Sequence, residues 1–485
     1  MIPLKLKRAG LYLAVAVAGF VVGVVGLYLH KIRSGPCLEP WHTTRLEAEF
    51  TTKRLDEIKT FEDYLRLEEE LFEELDREIY AEIGTGPAYG LIRYSAGSRS
   101  DPSRWERNWN RSFELPMVNA RGAVLLLHGM SDSPYSLRAL GQALYEQGYW
   151  VLGLRLPGHG TIPSGMTTLR WQDMAAAVRL AADHLVDKVG EGSLHIVGYS
   201  TGAPLALNLT LGALDGDGSP KPKSLVLISP AMGVTPAAAF AIWQSRLSLV
   251  PGLEKAAWTG TEPEFDPFKY NSFTTNAGDQ VFRLARRVTE KIADRAAAGP
   301  IDDFPPILAF QSAVDATVSV DAVIDNLMRR LALGSHELVL YDINREDIAG
   351  SVLVSDPGPL ANRLLTDDSL PFALTLLTNE NPESDQIAIR HNSPRSNEVS
   401  TELMEAAWPR GVISLAHVAL PFPPDDPLYG VGPPPHEDRI FLGEMAVKGE
   451  RGLLRFPASW LMRLRHNPFY DYQEGRIFDW LSQSE

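Results

Sequence analysis

Ser200 is the side chain with the clearest chemical potential, because it lies in a G-x-S-x-G motif at residues 198–202. The apolar run Leu194–Val197 precedes the motif, and the helix-forming run Ala203–Leu211 follows it. This context predicts a cramped strand-to-helix turn that exposes the serine hydroxyl, and glycines flank it because larger side chains would collide there. The pattern indicates a nucleophile, with the N–H of Thr201 at the helix start available to stabilise an oxyanion.

A second loop carries another candidate oxyanion donor. The sequence H-G-M at residues 128–130 follows the apolar run Ala123–Leu127, and the backbone N–H of Met130 is the candidate. The ring of His128 fits a packed structural histidine better than a proton carrier, and the same holds for His159, which lies in a later turn. Met130 and Thr201 are therefore the predicted oxyanion pair.

The elements that must position these groups are short apolar runs that alternate with helix-sized segments. The runs are Ala123–Leu127, Trp150–Leu154, Leu194–Val197, Leu225–Ile228, Ile307–Phe310 and Glu337–Ile343. Runs that are apolar on both faces indicate parallel strands covered by helices. We expect an α/β fold, a mostly parallel sheet with helices on both faces, and reactive groups at the carboxyl ends of its strands. An edge hairpin is expected around Arg111 to Met117.

Composition excludes several classes of function. The chain has 485 residues, 45% hydrophobic and 22% charged, which is typical of a globular protein. A net charge of −15 repels phosphate backbones, so nucleic acid is not an expected partner. The single cysteine, Cys37, can form neither an internal disulfide nor a Cys-based metal site. No metal or phosphate-cradling motif is present in the sequence, and we expect no cofactor and no metal.

Four segments resemble the α/β-hydrolase superfamily in their order and spacing. They read LLLHGM, LRLPGHG, TLRWQD and GYSTG, at residues 125–130, 154–160, 168–173 and 198–202. The resemblance covers Ala123 to about Asp315 and is strongest to the branch of monoacylglycerol lipases, bacterial carboxylesterases and serine aminopeptidases. It implies an α/β-hydrolase fold and a Ser-His-Asp acyl-enzyme mechanism.

The resemblance also implies an acid and a base, in the chain order Ser, Asp, His. Asp315 follows the run Ile307–Phe310 and resembles the family's acid, whereas Asp321 and Asp325 fall in a helical pattern and are expected to be solvated. The base departs from the family pattern, because the run Glu337–Ile343 leads into N-R-E and not into a histidine.

Two histidines further along the chain are candidates for the base. His417 ends the strand-like run at residues 411–416 and precedes a Pro-rich loop, which could support an imidazole rigidly. His391 follows the run Gln386–Ile389 but has polar neighbours that are more typical of a surface turn. We predict His417 and keep His391 as the alternative.

The N-terminus is predicted to be a membrane anchor, residues 1–33. Ala9–Leu29 has no charge over about 21 residues, roughly 31 Å of helix, which matches a bilayer core. The run is too long for a typical cleaved signal peptide. Three basic residues before it, Lys5, Lys7 and Arg8, outnumber the two after it, which favours a cytoplasmic N-terminus and a catalytic domain on the opposite side.

Residues 34–110 are predicted to be a helical linker and lead-in, and residues 111–485 the hydrolase domain. The domain carries a cap insertion at about 231–304 and an extra insertion at about 345–410. The lead-in contains an amphipathic helix, Lys59–Ile83, whose acidic face is expected to be solvated. That face consists of Glu68, Glu69, Glu70, Glu73 and Glu74.

The predicted cap is rich in aromatic residues, which suits an apolar acyl group unless those side chains only form the cap's own core. They include Trp243, Trp258, Phe265, Phe268, Tyr270 and Phe273. With the anchor, this favours an ester or lipid substrate such as a monoacylglycerol or lysophospholipid. A serine aminopeptidase gripping an amine with Glu262, Glu264 or Asp266 is one alternative, and a non-catalytic hydrolase-like binding protein is another. The sequence leaves the oligomeric state open.

Overall fold

The computed structural model describes residues 34–233, 252–315, 317–344, 358–408, 415–443 and 463–483, with a few positions between 12 and 30 and residues 248 and 250. Most of the predicted anchor, residues 1–33, and residues 411–414 of the strand-like run before His417 lie outside the described residues. None of the described helices is both long and apolar enough to cross a bilayer.

A ten-stranded sheet organises the described chain, in the order β1-β3-β2-β4-β5-β8-β9-β10-β11-β12. Its strands are β1 Phe113–Leu115, β2 Ala123–Leu127, β3 Trp150–Leu154, β4 Leu194–Tyr199, β5 Ser224–Ile228, β8 Ile307–Ser312, β9 Glu337–Asp342, β10 Ala373–Asn379, β11 Gln386–Asn392 and β12 Val399–Ala407. The seven strands from β3 to β10 in that order are parallel. Two further strands, β6 Trp258–Gly260 and β7 Phe273–Thr274, form a separate small sheet.

Helices cover both faces of the sheet. On β2, Ala123, Leu125 and Leu127 belong to one core, while Val124 and Leu126 belong to the other. The helices Phe61–Leu75, Trp171–Val189, Gly202–Leu214, Thr275–Ala296, Val320–Asn326 and Gly358–Leu365 lie on the first side, and Arg138–Glu146 and Tyr470–Gln483 on the second. Alternate side chains of a strand point to opposite faces, so this apolar sequence needs helices on both sides.

The expected hairpin around Arg111 to Met117 is wrong. This stretch contributes one short strand, β1, which pairs antiparallel with β3 at the sheet edge, Phe113 opposite Gly153. A Cβ at Gly153 would lie 2.2 Å from the Phe113 ring. A glycine in β3 therefore lets the aromatic ring of the edge strand lie against the sheet.

The region predicted as an extra insertion, about 345–410, supplies three strands to the sheet. β10 adds in parallel to β9, and β11 and β12 continue antiparallel from it. β12 is exposed along most of its length. The sheet is thus extended on one side before the chain turns back to His417.

The lead-in packs directly on the α/β body of the protein. Thr60 caps the helix Phe61–Leu75 through a reciprocal bond with Asp63, and Phe61 and Tyr64 join the core beneath the sheet. The expected solvation of its acidic face is wrong for Glu68, which is buried. Its carboxylate accepts hydrogen bonds from Ser112 and from the guanidinium of Arg155.

Candidate active site

Ser200 lies on the turn between β4 and the helix Gly202–Leu214 and has a positive φ of 52°. That conformation is strained for a residue with a side chain. The turn is crowded: a Cβ at Gly198 would lie 2.6 Å from the Cα of Ala203, and one at Gly202 would lie 2.1 Å from the carbonyl oxygen of Leu127. The two glycines of the motif are therefore required by space, as the sequence predicted.

The two predicted oxyanion donors flank this turn. Thr201 directly precedes the helix Gly202–Leu214 and is buried. The loop that carries Met130 lies against the serine, since a Cβ at Gly129 would be 3.1 Å from the Cβ of Ser200. Within the described residues, neither the N–H of Met130 nor that of Thr201 donates to a protein acceptor. Both amides are thus available to a ligand oxygen.

Asp315 and His417 meet although 102 residues separate them. The Nδ1 atom of His417 lies 3.0 Å from Oδ2 of Asp315, and the Asp315 side chain has no solvent exposure. Gln311 also donates to Oδ2, while the backbone N–H groups of Thr317 and Val318 donate to Oδ1. The carboxylate is therefore held on every side, which fixes the imidazole that it contacts.

The ring of His417 lies beside the serine turn. Its centroid is 5.5 Å from that of Tyr199, the residue before Ser200. His417 begins a short 3-10 helix, His417–Ala419, and does not directly end a strand. With Nδ1 directed at Asp315, Nε2 is the nitrogen left for proton transfer.

The alternative base, His391, lies elsewhere. It is on β11, opposite Thr375 of β10, and its Nδ1 atom is 2.9 Å from the Thr375 hydroxyl. The described structure thus brings His417, and not His391, to Asp315. Asp321 is exposed on the helix Val320–Asn326, as expected for a solvated carboxylate.

His128 and His159 are structural, as their sequence context indicated. His128 accepts from the N–H of Leu156 through Nε2, and its Nδ1 lies 2.8 Å from the carbonyl oxygen of Gly129. Burial lowers the pKa of His128 well below its usual value and lowers that of His159 to about 4. Both rings are therefore neutral near pH 7, and they hold the loop that carries Met130.

The acidic groups proposed to grip an amine are mostly committed to the fold. Glu264 is fully buried and accepts from the backbone N–H groups of Asn271 and Ser272. Asp266 is also buried and accepts from the hydroxyl of Tyr429. Burial raises the pKa of Glu264 to about 7. Neither carboxylate is presented as an exposed anion, so of the three acidic residues only Glu262, which is half-buried, is left for the aminopeptidase alternative.

The described aromatic residues of the region 231–304 serve partly as core. Phe265 and Phe268 pack in a buried cluster with Trp105 and Tyr135, and the Tyr135 and Phe268 rings stack at 4.3 Å. Residues 234–247, which include Trp243, lie outside the described residues. The packing of Phe265 and Phe268 therefore favours the core interpretation over direct contact with an acyl chain.

Sequence reasoning missed a group of cations beside these loops. Lys269, Arg463 and Arg465 line a cavity of about 180 Å³ together with Ser131 and Val418. These residues are far apart along the chain, and no motif marks them. Among the described residues, no group of three or more His, Cys, Asp or Glu side chains is arranged to hold a metal ion.

Comparison with known proteins agrees with this architecture. A family model described as "Alpha/beta hydrolase family" matches residues 124–342. A thermostable monoacylglycerol lipase from Bacillus sp. strain H-257 is 34% identical over 91 residues, which are 19% of this chain. The match spans 36% of that lipase, about a third of its length.

Two solved structures of lower sequence identity are also similar to part of the chain. A monoacylglycerol lipase from Paleococcus ferrophilus has 19% identity and a TM-score of 0.35, covering 47% of this chain and 87% of its own. A soluble variant of monoglyceride lipase from Saccharomyces cerevisiae has 14% identity and a TM-score of 0.35, covering 48% and 86%. The sheet, the serine turn and the match over residues 124–342 together show that this part of the chain has an alpha/beta hydrolase fold and resembles the alpha/beta hydrolase family.

Proposed function

We propose that this protein is a serine esterase that cleaves carboxylic esters through an acyl-enzyme. The observation that carries the proposal is the 3.0 Å contact between His417 and Asp315 beside the strained turn of Ser200. A buried carboxylate that holds an imidazole beside a serine turn is the arrangement that activates a serine nucleophile.

The proposed steps follow from these positions. His417 takes the proton of the Ser200 hydroxyl through Nε2, and the oxygen attacks the ester carbonyl. The N–H groups of Met130 and Thr201 stabilise the oxyanion. The imidazolium, stabilised by Asp315, then gives its proton to the departing alcohol. Water activated by the same imidazole releases the acid from the serine, which restores the enzyme.

Substitution of the serine tests the proposal. We expect Ser200→Ala to lower kcat on p-nitrophenyl butyrate on the order of 10⁴-fold or more, with the melting temperature unchanged within a few degrees. Ser100→Ala is the matched control, because that buried hydroxyl has no hydrogen-bond partner among the described residues. A fluorophosphonate probe should label the natural protein and not Ser200→Ala. Full esterase activity in Ser200→Ala would contradict the proposal.

A lipid-like ester is the proposed substrate class. The Bacillus relative is a monoacylglycerol lipase, and this supports an acyl ester over an amide. A series of p-nitrophenyl esters of increasing chain length, measured beside amino-acid anilides, separates the two. Faster cleavage of anilides than of every ester would contradict the lipid-ester assignment.

We also propose that residues 1–33 anchor the enzyme in a membrane, on the basis of the uncharged run Ala9–Leu29. Tethering would keep the site near the surface where apolar esters concentrate. Deletion of residues 1–33 should move the protein from the membrane fraction to the supernatant. It should leave kcat on a soluble ester within about twofold, since the proposed catalytic groups all lie beyond residue 127. Recovery of the truncated protein in the membrane fraction would contradict anchoring.

A further inference from the structure

The basic cavity lies between the two loops of the candidate active site. Ser131 follows Met130 in sequence, and Val418 follows His417; both residues line the cavity. Its volume of about 180 Å³ is room for a few water molecules or one small polar group. The cavity therefore adjoins both the proposed oxyanion donor and the proposed base.

Lys269 ties the cavity to the serine turn. Its Nζ atom lies 2.8 Å from Oδ1 of Asp132. The other oxygen of Asp132 would lie 2.7 Å from a Cβ at Gly129, and that Cβ would be 3.1 Å from the Cβ of Ser200. The Lys269 ammonium is thus connected, through its ion pair with Asp132, to the loop at Gly129 that lies against Ser200.

The two arginines complete the lining. Arg465 is 7% exposed, and its guanidinium lies 6.0 Å from the centre of the Tyr429 ring. Arg463 is exposed and pairs with no carboxylate among the described residues. Burial raises the pKa of Tyr199, directly before Ser200, and the carboxylates of Asp132 and Asp315 raise it further, while the positive charge of Arg463 acts in the opposite direction.

The lining of this cavity is positively charged. Among the described residues that line it there are three cations, Lys269, Arg463 and Arg465, and no carboxylate. Three carboxylates lie behind the lining: Asp132 pairs with Lys269, Asp266 acts on Arg465, and Asp315 is held by His417. The whole chain has a net charge of −15, so a positive excess here runs against the average composition. A cationic excess in a partly desolvated pocket attracts an anion more strongly than the same charges would in water.

We infer that this cavity binds an anionic group, a phosphate or a carboxylate, on the alcohol portion of the ester. The inference rests on the proposed esterase function. The alcohol side is assigned because Val418 adjoins His417, the group that would protonate the departing oxygen. The preferred substrates are then acyl esters of a phosphorylated or carboxylated alcohol.

Three esters with the same acyl group test this assignment: the hexanoyl esters of glycerol, of glycerol 3-phosphate and of glycerate. A six-carbon chain keeps all three monomeric, so membrane or micelle surfaces do not enter the comparison. We expect kcat/KM on the two anionic esters to exceed that on the neutral ester by about tenfold or more. A further preference between the two identifies phosphate or carboxylate as the better ligand.

Variants of the full chain assign the preference to the cavity. Arg463→Gln should lower the ratio of kcat/KM for anionic over neutral esters about tenfold, and Arg463→Lys should retain most of it. Arg179→Gln is the matched control, since that arginine lies on the helix Trp171–Val189 with long contacts of 3.6 and 3.9 Å to its carboxylates. It should leave the ratio unchanged.

The outcomes separate this inference from the proposed function. Equal kcat/KM on neutral and anionic esters, or an unchanged ratio in Arg463→Gln, would overturn the inference and leave the esterase in place. Failure to cleave any of the three esters, together with no fluorophosphonate labelling of Ser200, would overturn both.

Discussion

Asp315 is held by four donors, and this predicts the effect of a single-atom change. Oδ2 receives both His417 and Gln311, so the amide nitrogen of an asparagine there would face two N–H groups and turn the imidazole to the wrong tautomer. We expect Asp315→Asn to lower kcat about 10⁴-fold on p-nitrophenyl butyrate, with little change in thermal stability. Asp321→Asn, an exposed carboxylate on the following helix, is the matched control. A loss below tenfold would contradict the role given to Asp315.

At the scale of single residues, the sequence predicted those residues whose positions follow from local sequence patterns. Ser200 and Asp315 each follow a recognisable strand, so their places could be predicted, and the Pro-rich loop after His417 favoured it over His391. Lys269, Arg463 and Arg465 could not be found in this way. They come from segments almost two hundred residues apart, and only the folded chain brings them to one cavity.

At the scale of the elements, two ion pairs of a buried arginine connect the lead-in to the sheet. Arg155 follows β3 and is 1% exposed, and it is bonded to Glu49 and Glu68 of the lead-in. We expect Arg155→Met to lower the free energy of unfolding by about 3–5 kcal/mol, because two carboxylates lose their counter-charge. Urea denaturation measures this. Arg179→Met, which removes only exposed pairs, should cost less than about 1 kcal/mol, and equal losses would contradict the prediction.

Glu68 also explains why the face of its helix was misjudged. Hydrophobic periodicity marks Tyr64, Leu71 and Leu75 as the buried stripe, and Glu68 lies within that stripe at helical spacing. A charged residue in an apolar stripe is predicted to be exposed unless its ion-pair partner is known. The partner of Glu68 is Arg155, which is 87 positions away in the sequence. The positions of the additional strands β10 to β12 could not be predicted for a similar reason, because an apolar run indicates a strand but not the strand with which it pairs.

At the scale of the whole molecule, the ionisation of the buried acid Glu264 should change the free energy of unfolding. Burial raises the pKa of Glu264 to about 7 from an ordinary value of 4.5. Between these values the unfolded chain is ionised at this site while the folded chain keeps the proton, so unfolding releases a proton. The contribution of Glu264 to stability is therefore present at acid pH and is lost as pH rises towards 7, by about 3 kcal/mol in total.

Urea denaturation of the natural protein and Glu264→Gln between pH 5 and 8 measures this effect. The difference in unfolding free energy between the two should fall as pH rises to 7 and level off above it. The quantity to compare is the slope of this difference against pH. The absolute difference is less informative, because the amide of Glu264→Gln also weakens the hydrogen bonds to Asn271 and Ser272 at every pH. A difference that is flat with pH, or that rises, would contradict the pKa shift.

The distance along the chain between Asp315 and His417, 102 residues, has a consequence during synthesis. A ribosome delivers the serine turn and the acid loop well before the imidazole, and strands β10 to β12 emerge in the interval. Long-range contacts of this kind form late in folding. If the proposed function is correct, the nascent polypeptide would therefore lack hydrolytic activity until His417 has been synthesised and has reached Asp315.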